Sequence, residues 1–111
     1  MLVSDEVRYR ILKLLEGNPK LSQREVAREL GMSLGRANYC LQSLVGKGWI
    51  KVANFKNSKN KAAYMYLLTP RGIERKAQVT VRFLQRKLRE YEELRVEIER
   101  IRADAERLQA R

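Results

Sequence analysis

The sequence predicts a mainly α chain of the α+β class: three short helices, a two-stranded β-hairpin and one long C-terminal helix. Three observations point there. Helix-starting hydroxyl residues recur at Ser4, Ser22, Ser33 and Thr69. Two runs rich in β-branched and aromatic residues, 49–53 and 63–68, flank a polar stretch. Apolar residues then recur at steps of three and four from Ile73 to Leu108.

The first helix opens with Ser4 as cap, and Asp5 and Glu6 suit the positive end of its dipole. Val7, Ile11, Leu14 and Leu15 form one apolar face, and Gly17-Asn18-Pro19 ends the helix. Ser22 and Glu25 match the S-x-x-E capping box of a second helix, with Leu21 and Val26 placed for a hydrophobic staple. Val26, Ala27 and Leu30 supply its buried stripe, and Gly31 its left-handed C-terminal residue. Ser33 caps a third helix over 33–47, with Ala37, Leu41, Leu44 and Val45 inward and Cys40 beside them. Two short helices joined by a glycine-containing turn form a helix-turn-helix.

The strands make residues 54–63, NFKNSKNKAA, the loop of a hairpin. Thr69 then caps the last helix, Pro70 takes its first position, and Leu68 with Ile73 fits a second staple. From Ile73 the stripe runs through Ala77, Val81, Leu84, Leu88, Tyr91, Leu94, Ile98, Ile101, Ala105 and Leu108. At 1.5 Å per residue this segment is about 60 Å long. The step from Tyr91 to Leu94 inserts three residues into the heptad and predicts local overwinding. Gln78-Val79-Thr80, weak helix formers, mark a place for a bend. The organisation is thus a body over 1–72 and a dimerisation helix over 73–111.

The chain has 111 residues, 44% of them apolar, which suits one folded domain with an appended helix. No run of about 18 apolar residues exists, so no membrane helix is expected. MLVSDEVRYR lacks the features of a signal peptide, and a single cysteine makes no intramolecular disulfide, which points to the cytoplasm, bacterial or general. With no histidine, one cysteine and no phosphate-binding loop, no catalytic site, metal or cofactor is expected.

Charge is the dominant global feature: 24 Lys+Arg against 13 Asp+Glu, net +11. Between Glu29 and Glu74 there is no acid, while Arg36, Lys47, Lys51, Lys56, Lys59, Lys61 and Arg71 all fall there. Solvated faces usually mix both signs, so this stretch predicts a polyanion-binding surface.

Helix, helix-turn-helix, hairpin and helix is the order of a winged helix-turn-helix. LSQREVARELGMSLGRANYCLQSLVGKGWI followed by the hairpin and LTPRGIE resembles the MarR type of bacterial transcriptional regulator. VRYRILKLLEGNP, KGWIKVANFKNSKNKAAYMYLLTPRGIE and FLQRKLREYEELRVEI are similar to the short MarR-type regulators associated with exopolysaccharide (EPS) gene clusters. The resemblance covers almost the whole chain. It implies a dimer built through terminal helices, and a recognition helix at 33–47 whose DNA-facing residues vary between members.

The residues assign parts within that frame. Outward on the third helix stand Ser33, Leu34, Gly35, Arg36, Asn38, Tyr39 and Gln42, facing the major groove of double-stranded DNA. Arg36 suits guanine, Asn38 or Gln42 adenine, Gly35 a close approach, and Tyr39 a phosphate or thymine methyl. Ser22, Gln23 and Arg24, at the start of the second helix, suit a phosphate, Ser22 being equally explained as a cap alone. Lys56, Asn57, Ser58, Lys59, Asn60 and Lys61 form the wing, with the lysines meeting the backbone or minor groove and the Asn and Ser residues shaping the turn.

The long stripe exceeds what a body of this size buries, so Leu84, Leu88, Tyr91, Leu94, Ile98, Ile101 and Leu108 are expected at a homodimer interface. Its mixed charges argue against a membrane helix. Recognition helices about 34 Å apart would then read a pseudo-palindromic site. Two other readings stand beside this one: a nucleic-acid binder without sequence choice, and a protein-interaction adaptor using the long helix. Cys40, at core spacing, reads as structural rather than as a redox sensor. Many MarR-type proteins hold a ligand between dimer helices and DNA-binding lobe. With no long helix ahead of Val3, the sequence assigns no effector here.

Overall fold

Local signals start every helix of the computed structural model, which describes residues 3–56 and 58–110. The elements are α1 (Asp5–Gly17), α2 (Gln23–Leu30), α3 (Leu34–Gly46), β1 (Ile50–Lys56), β2 (Ala62–Leu68) and α4 (Pro70–Gln109). The Ser4 hydroxyl accepts from the Val7 amide and the Ser33 hydroxyl from the Arg36 amide. The capping box is complete: the Ser22 hydroxyl accepts from the Glu25 amide at 3.1 Å, and the Glu25 carboxylate from the Ser22 amide at 3.2 Å. Each such cap satisfies amides that the helix leaves without partners. Gly31 adopts φ +64° and turns the chain from α2 into the cap of α3.

The core lies where α1, α2 and α3 meet the base of the hairpin. Ile11, Leu12, Leu15, Val26, Leu41 and Leu44 are buried there, with Trp49, Ile50 and Tyr66 closing one side. Cys40 belongs to this cluster. The Tyr66 amide donates to the Pro19 carbonyl, tying β2 to the turn between α1 and α2.

β1 and β2 pair antiparallel from Ile50↔Leu68 to Lys56↔Ala62. The hairpin is therefore longer, and its loop shorter, than residue type predicts. Asn54, Phe55, Lys56 and Ala62, expected in the loop, are strand residues, and Trp49 lies just outside the ladder. The ladder bonds through the backbone, which is indifferent to the polar side chains of this stretch. Phe55 is also half-buried beneath Lys20, whose ammonium stands 5.3 Å from the ring centroid. At the loop, Asn60 takes φ +58°, a conformation asparagine tolerates better than most residues.

The entry into α4 is a tight junction. The Thr69 hydroxyl accepts from the Gly72 amide and lies 2.5 Å from the Gly48 carbonyl and 3.2 Å from that of Trp49. A Cβ on Gly72 would lie 1.8 Å from the Trp49 carbonyl oxygen. Glycine there lets the first turn of α4 sit directly on the backbone.

From that point α4 runs unbroken to Gln109. The stretch Gln78–Thr80 is helical throughout, and the Thr80 hydroxyl donates back to the Lys76 carbonyl at 2.7 Å. The face turned toward α1 is not the long stripe. Val79 is fully buried and Phe83 meets Tyr9 with ring centroids 5.3 Å apart. Three ion pairs flank this contact: Glu16–Lys76 at 2.8 Å, Asp5–Arg82 at 2.9 Å and Glu6–Lys87 at 3.4 Å. Asp5 and Glu6, expected only to complement the helix dipole, thus also hold α4.

The stripe itself is exposed along its length, from 44% at Ile98 to 68% at Leu108. Ile73, expected to staple onto Leu68, is exposed as well. At 3.6 residues per turn, the faces centred on Val79 and on Val81–Leu88 lie roughly 100° or more apart, so the body covers only one.

Two outcomes test this packing. Gly72→Ala is expected to destabilise the protein by at least about 1 kcal/mol despite alanine's better helix propensity, read as a lower urea midpoint. An unchanged midpoint would mean that the junction yields freely. The second concerns Asp5, whose hydrogen bond and charge pairing with Arg82 hold its carboxyl below the ordinary carboxylate range. A depressed folded value contributes stability that is present above the unfolded value and lost as pH falls through the folded one. The stability difference between wild type and Asp5→Asn should therefore be constant near neutrality and shrink below about pH 4.

Candidate nucleic-acid interface

The helix-turn-helix leaves one side of α3 outside the core. Ser33, Leu34, Gly35, Asn38, Tyr39 and Gln42 are exposed there, and Arg36 is half-buried. A Cβ built on Gly35 would meet nothing within 4 Å, so this turn of the helix is open to close approach from outside. The opposite side, Ala37, Cys40, Leu41 and Leu44, is fully buried. Alternation between these two sets follows from helical spacing, and it presents the polar set as one continuous surface.

At the start of α2, Ser22 and Arg24 are exposed while Gln23 is half-buried. Ser22 is engaged as a cap; its hydroxyl is committed to the Glu25 amide. Gln23 turns toward α3 instead of outward. Its side-chain amide nitrogen donates to the Asn38 side-chain oxygen at 3.0 Å and to the Tyr66 hydroxyl at 3.1 Å. One side chain therefore links the first residue of α2, the outward face of α3 and the base of the hairpin.

In the hairpin, Lys56 stands on β1, and Ser58, Lys59, Asn60 and Lys61 are exposed in the loop. Asn57 lies outside the described residues. A groove of about 480 Å³ runs between the start of α2 and the hairpin, lined by Lys20, Ser22, Gln23, Phe55, Tyr64 and Tyr66 among others. Tyr64, 64% exposed, stands on β2 near the tip. Tyr64, Phe55 and Lys20 did not stand out as functional candidates by residue type. Tyr64 and Tyr66, two residues apart, share one face of β2 and line the same groove; Tyr66 is buried at the base of the hairpin and Tyr64, nearer the loop, is exposed.

The electrostatics of this side are predominantly positive, with Glu25 of the capping box the acid that lines the groove. No acidic residue occurs from 30 to 73, while the acids of α1 face α4 in ion pairs. Cys40 is enclosed behind the surface, and burial pushes its thiol above the ordinary value, with Arg36 nearby working weakly the other way. A buried protonated thiol is a poor nucleophile, which fits the structural role of Cys40. Among the described residues no group of His, Cys, Asp or Glu is arranged to hold a metal ion, and no helix is long and apolar enough to cross a membrane.

Comparison with known proteins agrees with this geometry. Residues 4–51 match the winged helix-turn-helix DNA-binding family. No curated protein sequence matches the chain. Among solved structures, MarR from E. coli is 24% identical over 65% of this chain and 52% of its own, with a TM-score of 0.55. The zinc-dependent MarR-family regulator AdcR in its Zn(II)-bound state is 26% identical over 85% and 61%, with a TM-score of 0.54. A MarR/EmrR-family regulator from Acinetobacter sp. ADP1 is 19% identical over 90% and 75%, with a TM-score of 0.56. The chain spans about half the length of E. coli MarR and three-fifths of AdcR. The fold is that of winged helix-turn-helix proteins, similar to those MarR-family regulators, and the stretch from the start of α1 to the start of β1 is the part that matches a DNA-binding family.

Proposed function

We propose that this protein is a sequence-specific, homodimeric regulator of transcription that reads a pseudo-palindromic DNA site. The observation that carries the reading is the exposed polar face of α3 set beside a lysine-bearing hairpin, with no acid from 30 to 73. The N-terminal half of α3 enters the major groove, where Arg36, Asn38 and Gln42 meet base edges and Gly35 allows the backbone close. Arg24 and the amides at the start of α2 take a phosphate. Lys56, Lys59 and Lys61, with Ser58 and Asn60 shaping the turn, lie along the backbone toward the minor groove.

Dimerisation rests on the stripe Leu84, Leu88, Tyr91, Leu94, Ile98, Ile101 and Leu108. Its exposure within a single chain is what a helix awaiting a partner presents, since contiguous apolar surface of this length is uncommon on a monomer. Two copies place two recognition helices about one DNA turn apart. The body, 1–72, then supplies the reading and the helix over 73–111 the symmetry. Reading the chromosome also implies a cytoplasmic location. The resemblance to EPS-associated regulators supports exopolysaccharide genes as targets, and the genes beside its own are the direct check.

Selection of bound duplexes from random DNA tests the central reading. A consensus with two inverted half-sites is expected, bound at least about a thousandfold more tightly than random duplex. A pool recovered without consensus would favour the alternative of a binder without sequence choice. Arg36→Ala is expected to cost about 1–3 kcal/mol at particular base pairs, whereas Lys59→Ala should weaken all sequences alike and lower the salt slope by about one. Neither substitution should matter to a protein-interaction adaptor. Leu88→Asp with Ile98→Asp should yield monomers in sedimentation and lose affinity for the two-half-site DNA; dimers that persist would place the interface elsewhere.

A further inference from the structure

Asn38 is held by its oxygen. The Gln23 side-chain nitrogen donates to that oxygen at 3.0 Å, and the same nitrogen donates to the hydroxyl of Tyr66 at 3.1 Å. An amide nitrogen has two protons, so both donors of the Gln23 side chain are engaged. The anchor is firm at its far end, because Tyr66 is only 4% exposed and its own amide is bound to the Pro19 carbonyl. Gln23 is also fixed from behind, immediately after the Ser22 cap that starts α2.

This changes what Asn38 can offer a base. Asparagine reads adenine by turning its oxygen and its nitrogen together to the base edge, accepting from N6 and donating to N7. With one lone pair of its oxygen engaged by Gln23, the Asn38 amide is biased toward offering its nitrogen, a donor, to a base. Donors recognise acceptors. In the major groove guanine shows two adjacent acceptors, N7 and O6, and thymine shows one at O4.

We infer that Gln23 is a positioning residue that fixes the polarity of the Asn38 amide, so that Asn38 selects guanine, or more weakly thymine, in place of adenine. The inference rests on α3 reading base edges as proposed above. It assigns to the start of α2 a share in sequence choice, beyond the phosphate contact that its position suggests.

The test uses the full chain and the same random-DNA selection, with four variants. Asn38→Ala locates the base pair, since preference disappears there alone. Gln23→Lys carries donors only and should keep guanine at that position. Gln23→Glu carries acceptors only: it would accept from the Asn38 nitrogen and the Tyr66 hydroxyl, turning the Asn38 oxygen outward. Preference at that one position should then move by about tenfold or more toward cytosine or adenine, whose amino groups donate. The negative charge that Gln23→Glu introduces lowers affinity for every sequence, so the readout is the base ratio at one position and not total binding. Tyr66→Phe removes the far anchor and should broaden the same position without changing its neighbours. Adenine at the Asn38 position in wild type would overturn the inference, as would the same base in both Gln23→Lys and Gln23→Glu. A wild-type pool with no consensus would overturn the reading of α3 itself, a distinguishable failure.

Discussion

The structure depends on how closely α4 is allowed to approach the chain at Gly48 and Trp49. Gly72 brings two backbones together without a side chain between them, and the Thr69 hydroxyl bonds across the same gap. The Thr69 amide adds a third tie, to the Trp49 carbonyl at 3.0 Å. This junction sets the direction in which α4 leaves the body. Everything farther along the helix inherits that direction: the Tyr9–Phe83 contact, the three ion pairs to α1, and the azimuth at which the exposed stripe faces away. An error of a few degrees at Gly72 would be multiplied along a helix of about 60 Å.

The division of charge follows from the same arrangement. Asp5, Glu6 and Glu16 are turned toward cations of α4, and Glu25 toward the amide of its own cap. What remains around α3 and the hairpin is positive. These exposed ion pairs are individually weak contributors to stability. Their larger effect is geometric, because they pair the acids of α1 with cations of α4.

Much of this was legible in the sequence because it is local. A capping box, a left-handed glycine and a Thr-Pro helix start each act within four residues, and Ser22, Gly31 and Thr69 behave as their types suggest. The candidate surface on α3 was legible for the same reason, since helical spacing separates Ala37 and Leu41 from Asn38 and Gln42. What escaped depends on contacts between distant segments. Periodicity found the apolar stripe of α4 but not the second face, where a single fully buried residue, Val79, meets the body. The ends of the hairpin were hidden because Asn54 favours turns and Lys56 is a weak strand former, while both are strand residues by backbone pairing. The Gln23–Asn38 bond spans fifteen positions and exists only because α2 and α3 cross where they do.

The exposed half of α4 has a consequence for how the protein responds to its own abundance. Beyond Lys87 the ion pairs of the helix run within the helix itself, between Glu92 and Arg95, Glu99 and Arg102, and Asp104 and Arg107. Such pairs contribute only a few tenths of a kcal/mol each, and most helical stability in proteins comes from covering an apolar face. Its own chain leaves that face bare; in the proposed homodimer a second copy covers it, and the order of this segment then follows mass action. Dilution frays it and accumulation completes it. The number of molecules in the cell thereby becomes an input to the fold, before any ligand or DNA is considered.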